Sequence, residues 1–292
     1  GFGGSRFLSR QQALVEVPTL EPDGLRGAVV YRDGQFDDAR LAVHLARTAV
    51  EHGAVLLNYA EAVALEKDGA GRTCGVRVTD SESGEVLSLR AKVVVNATGA
   101  WADSVRRLDE STALSMVRPS QGIHVVLDKS FLPSESAILV PKTDDGRVLF
   151  VIPWREAVVV GTTDTPIEDV PVEPKALPDE IDFVLEHARQ YLTKDPDLDD
   201  VKSIYAGVRP LVSNEPGQTK SLARNHVITV SDSGLVTLTG GKWTTYRKMA
   251  EDAVDRAARV GGLPKAPCRT AELQLHGHDP NAAVWGRLGV HG

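Results

Sequence analysis

The stretch Gly234-Leu-Val-Thr-Leu-Thr-Gly-Gly-Lys-Trp-Thr-Thr-Tyr-Arg247 restricts the fold more than any other part of the chain. Leu235 to Thr239 reads as a short buried strand of β-branched and apolar residues. Gly240 and Gly241 then strip a turn of side chains, and Trp243 to Ala258 reads as a helix. A strand that stops at paired glycines and opens a helix presents bare N–H groups and a positive helix end to an anion. Lys242 adds a full charge there, and Thr244 and Thr245 add hydroxyls. The arrangement suits a phosphate, a flavin ring edge or an acidic substrate, although glycines before a helix also serve packing alone.

A second strand of parallel-sheet character lies far upstream. Val93-Val94-Val95 is fully apolar, as expected of a strand buried on both faces, and runs into Asn96-Ala-Thr-Gly-Ala-Trp-Ala-Asp103. Small residues at the carboxyl end of a parallel strand let the backbone approach a ligand; a tight strand-to-helix crossover would use them too. Before it, Ser9 to Val17 is expected to be a short helix capped by Ser9, and Gly27 to Tyr31 a strand. Asp37 caps an amphipathic helix running to about His52 and ended by Gly53. Strands are expected at Ala54 to Asn58 and Ala62 to Glu66, and a hairpin at Gly75 to Asp80 and Glu85 to Lys92.

The middle of the chain changes character. Gly122 to Leu127, Ala137 to Pro141, Val148 to Pro153 and Ala157 to Gly161 are spaced as an antiparallel meander, the face of a second domain. A proline-rich linker from Pro166 to Pro178 leads to a helix from about Asp179 to Leu192, and Tyr205 to Val212 returns as a strand. Because parallel-sheet character resumes after Leu235, the first domain is discontinuous in sequence. From Gly261 onward the chain reads as a linker and the start of another segment.

With 292 residues, the chain is long enough for two packed domains. Its net charge of −7 argues against a general nucleic-acid binder. Cys74 and Cys268 lack the spacing of a disulfide scaffold or zinc site, and His276-Gly-His278 has no third ligand nearby, so it reads as a solvated loop with no metal. No apolar run is long enough to cross a bilayer, leaving peripheral contact as the expected membrane mode. Gly1, Gly3 and Gly4 follow no strand and do not complete a dinucleotide fingerprint; the start without Met is expected to fall inside a longer protein.

His124, in the alternating Gly122-Ile-His-Val-Val, is either a hydrogen-bonded structural residue or a base facing a cleft. Pro210 fixes extended backbone at Arg209, which suits capture of phosphate or carboxylate, or a salt bridge at a domain interface. Arg224 in Ser221-Leu-Ala-Arg-Asn-His is similar and weaker. Gly161-Thr-Thr-Asp-Thr165 is an Asx-type turn or a hydroxyl-rich loop facing cofactor or substrate.

Taken in order, several blocks carry a resemblance: Gly27-Ala-Val-Val-Tyr-Arg-Asp-Gly-Gln-Phe-Asp-Asp-Ala-Arg40, Val94-Val-Asn-Ala-Thr-Gly99 and Pro119-Ser-Gln-Gly-Ile-His-Val-Val126. They continue with Ile152-Pro-Trp154, Gly161-Thr-Thr-Asp-Thr-Pro166, Gly207-Val-Arg-Pro-Leu-Val212, Ser221-Leu-Ala-Arg-Asn-His-Val227 and Gly240-Gly-Lys-Trp-Thr-Thr-Tyr-Arg247. Together they resemble the flavin-dependent glycerol-3-phosphate dehydrogenases, most closely the mitochondrial type. The resemblance implies a mixed α/β fold: a partial Rossmann-like FAD-binding domain and an antiparallel substrate domain, as in the glycine oxidase-like flavoproteins. It places the partial FAD domain at 1–108, with a first substrate-domain strand near 27–36, the substrate domain at 109–215, a return to the FAD domain at 216–260, and a linker with the start of a C-terminal domain at 261–292.

The implied reaction oxidises sn-glycerol 3-phosphate to dihydroxyacetone phosphate, reduces FAD and passes electrons to membrane quinone. Arg209 and Arg224 would hold the phosphate, with Lys242 and Thr244 also on the substrate side. His124 would take the C2 hydroxyl proton as hydride leaves for the flavin. Lys242 would stabilise developing negative charge or share the role of base. Ala97, Thr98, Gly99, Gly240, Gly241, Lys242, Trp243, Thr244 and Thr245 would approach the cofactor. A peripheral place on the mitochondrial inner membrane (or a bacterial cytoplasmic membrane) and a homodimer are further implications. The family's first glycine-rich fingerprint is not in this sequence, so the chain alone is expected to be poorly flavinated. The competing readings are another FAD-dependent amino- or hydroxy-acid oxidase, and a non-catalytic phosphate-ligand-binding fragment.

Overall fold

The computed structural model of the protein describes residues 4–140, 148–213, 222–223 and 226–281. In chain order its elements begin with β1 (Arg6–Ser9), α1 (Arg10–Glu16), β2 (Gly27–Val30), α2 (Asp38–Glu51), β3 (Ala60–Lys67), β4 (Thr73–Asp80), β5 (Val86–Arg90), β6 (Val95–Asn96) and α3 (Ala102–Asp109). Next come β7 (Val117–Asp128), β8 (Ile138–Val140), β9 (Leu149–Trp154), β10 (Ala157–Gly161), β11 (Thr165–Pro166) and α4 (Pro178–Arg189). The last are β12 (Ser203–Ser213), β13 (Leu222–Ala223), β14 (His226–Val230), β15 (Val236–Gly240) and α5 (Tyr246–Val260).

Two compact units divide the chain: Gly1–Gly34 with Met116–Leu222, and Gln35–Ser115 with Ala223–Gly292. The first is antiparallel, with strands ordered β13-β12-β7-β10-β9-β8 and β11 also pairing with β7. Strict alternation along β7 sends Ile123, Val125 and Leu127 into the core, each fully buried. Burial of this kind contributes about 1.5–3 kcal/mol per large aliphatic side chain. Val184, Leu185 and Ala188 of α4 join the same core, as do Phe131 and Leu132. The strand expected near 27–36 belongs to this unit, as the sequence suggested, but residues 4–26, placed by the sequence with the cofactor half, fall here too. Val17 enters this core, Leu20 bridges Leu192, and Glu21 N–H donates to Tyr191 O at 2.9 Å.

The second unit holds two sheets, β3-β4-β5 and β14-β15-β6. Helix α2 begins where Asp37 Oδ1 accepts from Arg40 N–H at 2.9 Å. At the end of α3, Asp109 accepts from Ser233 Oγ at 2.6 Å and pairs with Lys67 Nζ at 3.0 Å, tying β3 to the β14–β15 turn. Burial pushes the Asp109 carboxyl up, but the hydrogen bonds from Ser231, Ser233 and Lys67 outweigh it and hold it below the usual range.

Two strand expectations in this unit fail. Residues 54–58 form no strand, and Val55, Leu56 and Leu57 are 85%, 52% and 58% exposed. Backbone of strand composition becomes a strand only where a partner offers a ladder, and none pairs with it among the described residues. Similarly, Val93-Val94-Val95 is not buried on both faces: β6 is two residues long, Val95 is exposed, and β15 is its only neighbour among the described strands.

Candidate functional site

In the antiparallel unit, the candidate residues lie on the sheet face opposite the core. Register sets Tyr205, Gly207 and Arg209 of β12 beside His124, Gly122 and Ser120 of β7, and Gly161 of β10 on the other side of His124. The His124 imidazole stacks on the Tyr205 ring, with centroids 5.0 Å apart and planes 14° from parallel. Toward β10 the imidazole covers Gly161, where an added Cβ would collide with its Cδ2.

Arg209 is held by the loop after β10. Its Nη1 donates to Thr163 O at 3.0 Å, its Nη2 donates to Thr162 Oγ1 at 3.0 Å, and Asp164 Oδ1 lies 3.4 Å from Nη1. The guanidinium lies over Gly122, where any side chain would displace it, while Gly207 opens onto free space. Of these glycines, Gly207 alone leaves its backbone uncovered beside His124 and Arg209.

Behind that loop stands a residue the sequence did not single out. Glu180 of α4 is 4% exposed and accepts from Thr163 Oγ1 at 3.1 Å, Thr165 Oγ1 at 2.7 Å, Gln121 Nε2 at 2.8 Å and Leu177 N–H at 2.9 Å. Burial raises its pKa, but the hydrogen bonds from Leu177, Thr165, Gln121 and Thr163 together bring the carboxyl below its usual value. Thr163 Oγ1 also accepts from Ile123 N–H at 3.0 Å, so the loop is stitched to both β7 and α4. The signal was the run of hydroxyls in Gly161-Thr-Thr-Asp-Thr165; its carboxylate partner, following Pro178, had the look of an ordinary first-turn acid.

In the other unit, β6 and β15 are parallel neighbours, with Val95 beside Val236 and Asn96 beside Thr237. Their carboxyl ends thus point the same way, toward the sheet edge where ligands bind in open α/β sheets. Asn96 is buried and organises the turn: its Nδ2 donates to Ala102 O at 2.9 Å, and its Oδ1 accepts from Thr98 Oγ1 at 2.7 Å. Ala97 and Thr98 are exposed, and at Gly99, where φ is +59°, an added Cβ would meet open space. After β15, Lys242, Trp243, Thr244 and Thr245 are exposed just ahead of α5.

The paired glycines are both left-handed. Gly240 and Gly241 have φ of +74° and +78°, and a Cβ on Gly241 would lie 2.5 Å from Met249 Sδ. The left-handed backbone therefore favours glycine at 241 independently of any ligand, and any side chain there would also have to move the end of Met249. Gly241→Ala is expected to cost about 1–3 kcal/mol through left-handed backbone strain and overpacking, read as a lower thermal midpoint.

The expected cofactor residues 97–99 and 240–245 thus fall together in one unit, whereas His124 and Arg209 fall together in the other; Arg224 lies outside the described residues. The His276 segment is a loop with Gly277 and His278 exposed, but His276 itself is docked on α2. His276 N–H donates to Thr48 Oγ1 at 2.8 Å, and its ring meets Glu51 on α2. Among the described residues, no group of three or more His, Cys, Asp or Glu side chains is placed to hold a metal ion.

A parallel strand pair with small residues at its carboxyl ends, together with a separate antiparallel unit presenting histidine and arginine on one sheet face, is the architecture of a two-domain flavoprotein oxidoreductase. The chain belongs to the FAD dependent oxidoreductase family, whose profile matches residues 1–247. It is 43% identical over 281 residues to the glycerol-3-phosphate dehydrogenase, mitochondrial, of Rattus norvegicus, an alignment covering 94% of this chain and 38% of that protein. The chain therefore spans under two fifths of the length of that curated relative. The crystal structure of the glycerol-3-phosphate dehydrogenase from Bacillus halodurans complexed with FAD is 34% identical, with a TM-score of 0.84 over 97% of this chain and 55% of that one. Glycine oxidase from Bacillus cereus, 21% identical with a TM-score of 0.64 over 90% of this chain and 65% of that one, shares the fold.

The residues present fit a flavin nucleotide. Gly99 leaves open space at one strand end, and exposed Lys242, Thr244 and Thr245 offer a cation and hydroxyls at the other.

Proposed function

We propose that this chain is part of a flavin-dependent enzyme that oxidises sn-glycerol 3-phosphate to dihydroxyacetone phosphate. The observation that carries the reading is the guanidinium of Arg209, fixed by Thr162, Thr163 and Asp164 on the sheet face that bears His124. A fixed guanidinium binds a phosphate in one orientation and so sets the register of the attached carbons. A ring nitrogen of His124 then accepts the C2 hydroxyl proton. FAD supplies the two-electron acceptor when bound, held by Ala97, Thr98, Gly99, Gly240, Gly241, Lys242, Trp243, Thr244 and Thr245. In this reading Gln35–Ser115 with Ala223–Gly292 is the cofactor unit, and the antiparallel unit holds substrate.

On the family resemblance alone, we also assign Arg224, Lys242 and Thr244 to the substrate. Two arginines and a lysine match a phosphate dianion better than the single carboxylate of an amino or hydroxy acid. The relatives' names support a mitochondrial location, and we extend this to a peripheral position on the inner membrane, electron transfer to quinone, and a homodimer. Among the described residues, no helix is long and apolar enough to cross a membrane.

Anaerobic mixing of the flavin-loaded protein with glycerol 3-phosphate is expected to bleach the oxidised-flavin absorbance, while glycerol, glycine and glycolate leave it unchanged. Faster bleaching by a carboxylate substrate would overturn the assignment. Binding of inorganic phosphate with no reduction by any substrate would instead indicate a non-catalytic module.

A further inference from the structure

We propose that Tyr205 is a positioning residue for His124, holding the imidazole in a slot whose other side is the bare backbone of Gly161. Three adjacent strands build the slot: register places Tyr205 of β12 and Gly161 of β10 on opposite sides of His124 on β7. Phe150 of β9 stands next in the same row, beyond Gly161.

The physical need for such a slot follows from the histidine side chain. Rotation about its second torsion joins an sp³ carbon to an sp² ring, and the energy profile is broad and roughly two-fold. Backbone and rotamer preference therefore leave the direction of the ring nitrogens weakly defined, and packing against the ring faces must define it. Here one face meets the Tyr205 ring at 5.0 Å and 14°, an offset-stacked distance for aromatic pairs. On the β10 side the imidazole lies over Gly161, and an added Cβ there would also come within 2.8 Å of Ile123 O. The tyrosine is 50% exposed, so core burial is not what holds it.

The functional side of this inference rests on the proposed role of His124 as proton acceptor; the geometric side does not. If the slot aims the ring nitrogen at the substrate hydroxyl, widening it slows proton transfer while leaving phosphate capture at Arg209 intact. Tyr205→Ala removes the wall, and Tyr205→Phe keeps the ring and loses only the hydroxyl. Gly161→Ala is the poorer probe, because the new methyl also strikes backbone.

Two measurements on the flavin-loaded native protein and both variants test the proposal. The first is the proton resonances of the His124 ring, assigned by their loss in His124→Asn. Tyr205→Ala is expected to shift them by removing the ring current of its neighbour, and Tyr205→Phe to leave them nearly in place. The second is single-turnover flavin reduction by glycerol 3-phosphate. Tyr205→Ala is expected to lower the limiting rate about tenfold and change substrate affinity by less than about twofold, whereas Tyr205→Phe stays near native. Resonances unmoved by Tyr205→Ala would overturn the slot. A moved resonance with an unchanged limiting rate would overturn the positioning role, and an equal loss in Tyr205→Phe would assign the effect to the hydroxyl. If the native protein is not reduced by glycerol 3-phosphate at all, the functional reading fails, and so does the positioning role, while the resonance shift still decides the slot.

Discussion

Arg209→Ala is expected to lower kcat/KM for glycerol 3-phosphate roughly 100-fold, equivalent to about 2.7 kcal/mol of transition-state binding. Two losses combine. The phosphate loses its fixed cationic partner, and Thr162 and Thr163 lose the donors that fasten their loop to β12. Most of the change should appear in KM, because a phosphate grip is made in ground and transition states alike. Arg209→Lys keeps the charge but not the planar fork that reaches Thr163 O and Thr162 Oγ1 together, and should fall between the two. Steady-state kinetics decide the matter: a kcat/KM within about twofold of native in Arg209→Ala would reduce this arginine to a loop fastener.

The second large effect concerns folding. Glu180→Ala is expected to destabilise the antiparallel unit by about 3–5 kcal/mol, since it removes the acceptor shared by the Thr163, Thr165, Gln121 and Leu177 donors and leaves the buried Thr163 hydroxyl without it. Denaturant titration should show a lower midpoint with little change in slope. The pH dependence has a definite sign. The folded carboxyl lies below its unfolded value, so the unfolded state binds a proton first as the solution is acidified. The stabilisation is complete above the unfolded value of about 4.3 and drains away as pH falls through the lower folded value. Glu180→Gln keeps the shape without a titrating group, and should be less stable than native at neutral pH yet lose less on acidification. An acid loss equal to the native one would place the sensitivity elsewhere, with Asp109 the next group to examine.

Local signals in the sequence survived into the structure. Ser9 and Asp37 cap their helices because a cap is a bond to a residue three positions on. The alternation of β7 fixed which side chains entered the core and left His124 on the other face. The strand–glycine–helix pattern at 235–247 also held, because the residues that demand it are neighbours. What escaped notice depends on distant partners. Residues 54–58 have strand composition but no strand to pair with among the described residues, and Val95, expected to be buried on both faces, is exposed. Glu180 meets Gln121 across 59 residues, and His276 meets Thr48 across 228. Gly241 invited a ligand-based explanation when its left-handed backbone already supplied a conformational one.

The carboxylate of Glu180 has a consequence for redesign. Its helix and the Gly161–Thr165 loop are separate in sequence but share one set of hydrogen bonds, so neither can be exchanged alone. A loop grafted from a relative with different hydroxyl spacing would meet a charge it cannot satisfy, and a helix grafted without the acid would leave the threonines unclaimed. Loop and helix form a single unit of inheritance, and a library that varies residues 162–165 must vary residue 180 with them.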